Sequence, residues 1–568
     1  MPCAKQLVFA AIVLVTAAKV SAVNATTCES LSSLSLPEVV SITAKPFPGG
    51  TFQPPNPAGF PPQPFLNPPL SGLPPFCEVS LVVSPQIRIE IWLPSPVTWN
   101  HRFNAIGNGG YSGDQFWSGL PPSIEAGFAV ASTDNGHPGN IVDGSFALNT
   151  ATDTLNWGLI RDFAQRSEHE LASKGKPIIE AYYGRPPAFS YWTGCSTGGR
   201  QGWMEAQLYP EDYDGILAGA PAMNWDRFIP AELWPQVVMN EEVGGPIPAA
   251  KLDRVTNAAV AACAGKDGGL ASDGFLNDPR ACRFNLAAHA QALGLTPAQV
   301  SSINKMWDGP RGDDGQRLWF GLQKDANLSG STTGFALAGS IPFPIATMHF
   351  AYWLHQNPGF DWHTVTESSF VADFFKSERL FDGVIGTDRT DLDRMIRHRT
   401  RLIGYHGWED QLIFPRGSTN YFERLFDRYG KAEVDTFARL FMVPGMQHCQ
   451  GGPGPNSFGN NPPGSSPVPA DAQHDVFIAL QRWVEHGVAP EQVVATKYVD
   501  DNPKNGIAFT RPLCVFPKIA RYSGKDDARD AANWECVLEP TNRTIQEADE
   551  VLPELGIRDR QDAKEGND

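Results

Sequence analysis

Residues 189–208 read FSYWTGCSTGGRQGWMEAQL: a β-prone run over 189–192, a glycine turn around Ser196, and helical spacing over 200–208. This Gly194-x-Ser196-x-Gly198 turn constrains the chain more than any other feature, because a strand turning sharply into a helix lifts a serine hydroxyl to the edge of a sheet. The pattern alone is weak in a chain with 54 glycines, so its flanks carry the weight. Two later strand-then-loop units resemble it in form: 402–405 runs into His406-Gly407-Trp408-Glu409-Asp410, and 438–443 runs into Pro444-Gly445-Met446-Gln447-His448. Alternating apolar residues predict strands at 79–83, 87–93 and 102–106, and helical spacing predicts a helix over 159–172. Alternation of this kind is the pattern of an α/β sheet.

A serine hydroxyl is a poor nucleophile until a histidine takes its proton and a carboxylate orients that histidine. Ser196, Asp410 and His448 occur in the order Ser, Asp, His, each just after a predicted strand, as an α/β-hydrolase requires. Glu409 is the neighbouring alternative acid, and His406 reads as a structural hydrogen-bonder. Cys195 directly precedes the serine and Cys449 directly follows the histidine. A disulfide between them would hold their Cα atoms about 4.4–6.8 Å apart, and so bring the candidate nucleophile and base together. The N–H of Thr197, after the nucleophile, is the first expected oxyanion donor. The second is expected from Gly107-Asn108-Gly109-Gly110, with Gly110 preferred and Gly109 next. The glycine spacing of 107–113 does not match a dinucleotide fingerprint.

Lys5, an apolar run over 7–18 and Val20-Ser21-Ala22 form a secretory signal over 1–22, so the chain is expected in an extracellular or periplasmic space. No other run is long enough for a membrane span. The net charge of −17 disfavours nucleic acid and anionic membranes, and the short basic run 397–401 does not change this. With the signal, Cys3 leaves, and eight cysteines remain, which permit 105 pairings that spacing alone does not resolve. No CxxC pair points to zinc or a redox centre. Asn24, Asn327 and Asn542 stand in sequons, usable in a eukaryotic host.

Residues 223–382 show no clean strand-helix alternation and read as a lid inserted into a catalytic domain made of 23–222 and 383–540. The proline-rich stretch within 45–76 reads as an extended covering segment, and 541–568 as a charged, flexible tail.

The segments Gly194-Cys195-Ser196-Thr197-Gly198-Gly199-Arg200-Gln201-Gly202, Tyr405 to Asp410, and His448-Cys449 resemble the tannase and feruloyl esterase family, over about residues 28–536. The resemblance implies a lidded α/β-hydrolase that cleaves esters of aromatic acids such as ferulate or gallate, with a disulfide across the triad. Feruloyl esterase activity on a small or polymer-linked aromatic ester is the preferred reading, with tannase or another aryl-ester hydrolase as the alternative. A non-catalytic binding protein on this scaffold and a serine peptidase are the readings from other classes. No cofactor is expected for catalysis, and the sequence leaves the oligomeric state open. Among the remaining cysteines, the sequence neighbours Cys263 and Cys282, and Cys514 and Cys536, are expected to pair, leaving Cys28 with Cys77. The resemblance also implies a structural calcium in a loop after a cysteine. Asp267 and Asp273 would give carboxylates there, and Gly269 and Phe275 carbonyl oxygens. Ala264 stands where the first aspartate is expected, the spacing from Asp267 to Asp273 is longer, and Lys266 is nearby, so a metal-free disulfide loop is the competing expectation.

Overall fold

The structure is a computed structural model that describes residues 27–55, 67–460 and 468–538. The expected signal 1–22 and tail 541–568 lie outside the described residues. A nine-stranded sheet organises the chain. Its strands are β1 (Val39–Phe47), β2 (Phe76–Val83), β3 (Ile87–Pro94), β4 (Arg102–Ile106), β5 (Ala129–Thr133), β6 (Phe189–Cys195), β7 (Gly215–Gly219), β8 (Arg401–Gly407) and β9 (Ala438–Val443). They lie in the order β1-β2-β3-β5-β4-β6-β7-β8-β9. The pairs β1/β2, β2/β3 and β3/β5 are antiparallel, and the rest are parallel.

Burial explains this division. In the antiparallel part, alternation sends Val79, Leu81, Ile89 and Ile91 into one core, while Phe76 and Trp92 pack with Phe52 and Trp117 on the other face. In the parallel part, β5, β7 and β9 are buried at every residue, as strands covered by helices on both faces must be. Helices α1 (Ser167–Tyr183) and α2 (Thr197–Leu208) provide part of that cover. A turn of π-helix, Asp162–Arg166, joins α1 to a short helix at Trp157–Arg161.

The predicted helix over 159–172 thus begins earlier and runs on to Tyr183, past Gly175 and Pro177. Those residues read as breakers, yet the buried Ile178 and Ile179 carry the helix on against the sheet core. Helix α2 begins at Thr197 and not at Arg200, because Gly198 and Gly199 are helical residues at a crowded crossing. A Cβ on Gly199 would lie 2.3 Å from the Gly219 carbonyl oxygen.

Between β7 and β8 the chain leaves the sheet and forms helices α3 (Trp225–Val243), α4 (Ala249–Cys263), α5 (Pro297–Asp308) and α6 (Glu367–Phe381). Most of its buried apolar side chains, including Trp234, Phe350 and Phe370, form one cluster that also takes in Tyr111, Phe146 and Phe163. Arg227 near its start and Glu378 near its end form an ion pair at 2.8 Å. Among the described residues, no helix is long and apolar enough to cross a membrane.

Candidate active site

β6 ends at Cys195, and Ser196 stands alone between strand and helix with φ 64° and ψ −125°. A side chain at positive φ is strained by about 1–3 kcal/mol, so the surroundings must hold it. They do so through the backbone: the Ser196 N–H donates to Gly219 O (3.0 Å), and Ser196 O accepts from the N–H groups of Arg200 and Ala222 (3.1 Å each). Ser196 remains partly exposed.

Asp410 and His448 follow the C-terminal ends of β8 and β9, adjacent parallel strands, which brings them together. Nδ1 of His448 lies 2.8 Å from Oδ2 of Asp410, leaving Nε2 as the ring nitrogen available for proton transfer. The other Asp410 oxygen accepts from the N–H groups of Leu412 and Ile413, both at 2.9 Å. His406 approaches from the opposite side, its Nε2 3.1 Å from Asp410 Oδ2 and its Nδ1 2.8 Å from Ser418 Oγ. Since Nε2 also faces Ile413 O, it carries the proton and Nδ1 accepts from the hydroxyl. Burial pushes the Asp410 carboxyl up, but the charge of His448 and hydrogen bonds from both histidines outweigh burial and hold it well below the usual range. Glu409 is also buried, and burial, then the negative charge of Asp325, push its carboxyl well above the usual carboxylate range. Of the two neighbouring acids, Asp410 is the one at the histidine.

Cys195 and Cys449 are bonded, with Cα atoms 6.0 Å apart. The other pairs are Cys28 with Cys77, Cys263 with Cys282, and Cys514 with Cys536. Cys449 has a positive φ, 64°, as does Ser196 beside Cys195, so one end of the bond is a strained backbone position and the other adjoins one.

The loop after β4 lies directly against the start of α2. The first N–H groups of a helix have no intrahelical acceptor. Gly198 N–H donates to Asn108 O at 2.6 Å, and the Thr197 hydroxyl donates to Gly110 O at 2.9 Å. The Thr197 N–H, one residue earlier, has no acceptor among the described residues. Gly110 has φ 52°, and a Cβ there would come within 2.1 Å of Ile141 O, so this position demands glycine. Gly109 is less confined, since a Cβ there would lie 3.3 Å from the Ile141 side chain.

Gln201, Asn135 and Glu168, to which the sequence reading gave no role, brace this loop through Asn108. Gln201 Oε1 accepts from the Asn108 N–H (3.0 Å), while its Nε2 donates to Asn135 Oδ1 (2.9 Å) and Glu168 Oε1 (2.5 Å). The Asn108 side chain donates in turn to Thr133 O at 2.7 Å. Burial pushes the Glu168 carboxyl up to about 7, against the opposing pull of Arg200. One signal was available: Gln201 lies four residues after Thr197, hence on the same face of α2. Trp353, in the excursion between β7 and β8, is fully buried and stacks on Tyr111 at 5.6 Å between centroids.

The expected calcium ligands are already engaged within the protein. Asp267 accepts from the N–H groups of Gly269 (3.2 Å), Asn277 (2.6 Å) and Asp278 (3.2 Å), which occupies both of its oxygens. Asp273 is paired with the Arg511 guanidinium at 3.0 Å. Burial and the negative charge of Asp267 push the nearby Asp325 carboxyl up to about 7. Phe275 is buried, and its ring stacks on Phe509. Among the described residues, no group of three or more His, Cys, Asp or Glu side chains is placed to hold a metal. Asp267 and Asp273 thus find partners within the protein without a calcium ion.

A family model described as tannase and feruloyl esterase matches residues 77–537. An uncharacterized esterase of Xanthomonas campestris pv. campestris is 34% identical over 564 residues, covering 93% of this chain and 94% of that protein. A probable feruloyl esterase of Arthroderma benhamiae is 35% identical over 480 residues, covering 81% of this chain and 85% of the other. The crystal structure of feruloyl esterase B from Aspergillus oryzae superposes with a TM-score of 0.77 at 28% identity, covering 90% of this chain and 100% of that one. With the nine-stranded mixed sheet, these findings identify an α/β-hydrolase fold and a carboxylesterase, and the chain belongs to the tannase and feruloyl esterase family.

Proposed function

We propose that this carboxylesterase cleaves esters of hydroxycinnamic acids, in the manner of a feruloyl esterase, through an acyl-enzyme on Ser196. The observation that carries the mechanism is the contact between His448 and Asp410 at 2.8 Å, in loops tied to the serine turn by the Cys195–Cys449 bond. Ser196 Oγ attacks the ester carbonyl while His448 Nε2 takes its proton. The C–O bond to the leaving alcohol breaks, and His448 returns the proton to that alcohol. Water then attacks the acyl-serine with the same base, releasing the acid and restoring the hydroxyl. Asp410 holds His448 in the tautomer that frees Nε2 and stabilises the imidazolium. The N–H groups of Thr197 and Gly110 receive the oxyanion, and each such donor is worth about 2.7–4 kcal/mol. Ester, water and these side chains supply every atom in the reaction.

Two relatives named as feruloyl esterases support the acyl preference. Residues 223–382 act as the lid that shapes the acyl pocket. The four disulfides fit an oxidising compartment, so the enzyme is exported, and the segment 1–22 is its signal. Rates on methyl ferulate, methyl gallate and a peptide test the reading together. Preference for ferulate is expected. A preference for gallate moves the enzyme to the tannase side of the family, and cleavage of the peptide alone overturns the proposal.

A further inference from the structure

Where the excursion between β7 and β8 meets helix α7 (Pro415–Tyr429), a pocket of about 150 Å³ is lined by Arg280, Arg283, Arg317, Lys324 and Arg416. Among the described residues, its wall contains no carboxylate, in a chain whose net charge is −17. None of Ser196, Asp410, His448, Thr197 or Gly110 lines it.

Two of the cations have acidic partners outside the wall, Arg280 with Asp278 (2.8 Å) and Arg317 with Asp308 (3.0 Å). Arg283 and Lys324 differ. Arg283 Nη1 donates to Arg280 O, and Lys324 Nζ donates to Cys282 O, both at 2.8 Å. Among the described residues, no carboxylate lies within ion-pair distance of either. An ammonium has three donors and a guanidinium five, so one carbonyl each leaves most of them unused. Burial, and then the like charge of Arg283, push the Lys324 ammonium down. An anion between the two would relieve both effects.

The rest of the wall holds two aromatic residues beside Pro279, Cys282, Gly321, Leu322 and Gln323. Trp307 is partly exposed, with an indole N–H that has no acceptor, and Phe320 lies under the Arg416 guanidinium at 4.7 Å. A cavity of about this volume accepts a single six-membered ring. The partly exposed Trp307 ring and its unpaired indole N–H, beside a cationic end, fit a ring that bears a carboxylate.

We propose that this pocket binds a six-membered ring carrying a carboxylate, at a site separate from the esterase centre. Two sources share that chemistry: a uronate unit of an acidic polysaccharide, and the aromatic acid that ester cleavage releases. Calorimetric titration of the full-length protein with galacturonate, ferulate and the neutral sugar galactose tests this. At least one of the two acids is expected to bind saturably, with affinity weakened on the order of tenfold by Arg283→Gln with Lys324→Gln, and weakened also by about 0.5 M salt. Galactose is expected not to bind, and hydrolysis of a small ester by the variant is expected to be unchanged. Galacturonate binding assigns the pocket to an acidic polymer, and binding of ferulate alone assigns it to the released acid. Should the double variant fail to fold, Arg283→Glu alone, at an exposed position, provides the same comparison. Absence of binding by either acid, equal binding of galactose, or affinities indifferent to these substitutions would overturn the proposal.

Discussion

Cys195 and Cys449 are bonded across 254 positions of sequence, and each is the chain neighbour of a residue with a proposed role in the reaction, Ser196 and His448. On the proposed mechanism, the bond positions the reacting groups as well as stabilising the fold. Replacing both cysteines by alanine should lower kcat by about 100-fold, the scale of a misplacement near 1 Å. The far-ultraviolet circular dichroism should stay native. Full activity in the doubly substituted protein would show that the bond does not position the centre.

Gln201 holds the loop bearing Gly110 through the Asn108 N–H at 3.0 Å, and the Thr197 hydroxyl holds the Gly110 carbonyl at 2.9 Å. Gln201→Ala and Thr197→Val each leave a buried backbone group unpaired, at a cost of about 1–3 kcal/mol. Because the displaced donors act on the transition state, the expected loss is in kcat, on the order of 10-fold or more, with KM little changed. A rise in KM alone would assign these residues to ground-state binding.

Stability should fall as pH rises across the neutral range. Burial pushes Glu90 up to about 8 from an ordinary value of 4.5, and pushes Asp134 and Glu168 up to about 7. Between the unfolded and folded values the native chain holds protons that the unfolded chain has released. Their contribution is thus complete below about pH 4.5 and is lost as pH climbs through 7 to 8. Glu90→Gln removes the largest of these contributions. Its Tm should exceed that of the wild type at pH 8.5 and show no gain at pH 4, and parallel Tm profiles for the two proteins would rule this out.

Arg511 occupies the position where the family resemblance implied a cation, 3.0 Å from Asp273 and 4.1 Å from the centre of the Trp534 ring. Melting curves in EDTA and in calcium should coincide. Arg511→Met should lower the midpoint, since breaking a buried pair costs about 3–5 kcal/mol. A midpoint that drops in chelator and is restored by calcium would contradict this reading of the loop.

The parts of the fold that were legible in sequence are those where one local rule acts alone. The alternation of β2 and β3, and the apolar run of β9, announce themselves. The short β7, Gly-Ile-Leu-Ala-Gly, does not: its glycines argue against a strand, and they are required because a Cβ on Gly219 would lie 2.1 Å from the Tyr405 ring and one on Gly215 would lie 2.8 Å from the Tyr191 ring. Likewise the order of Ser196, Asp410 and His448, and the cysteines beside them, stand in the sequence as neighbours. Glu168, Asn135 and Asn108 act through contacts between elements far apart in the chain, which no spacing encodes. Asp273 was legible as an acid, but its partner Arg511 lies 238 residues away.

The central claim is that Ser196 carries the acyl group. Rapid acid quench of the enzyme with an aromatic ester, followed by peptide mass mapping, should find the acyl adduct on the peptide containing Ser196, and Ser196→Ala should show neither adduct nor turnover while keeping its melting midpoint. An adduct on another residue, or a Ser196→Ala protein that retains a tenth of the wild-type rate on methyl ferulate, would contradict the account.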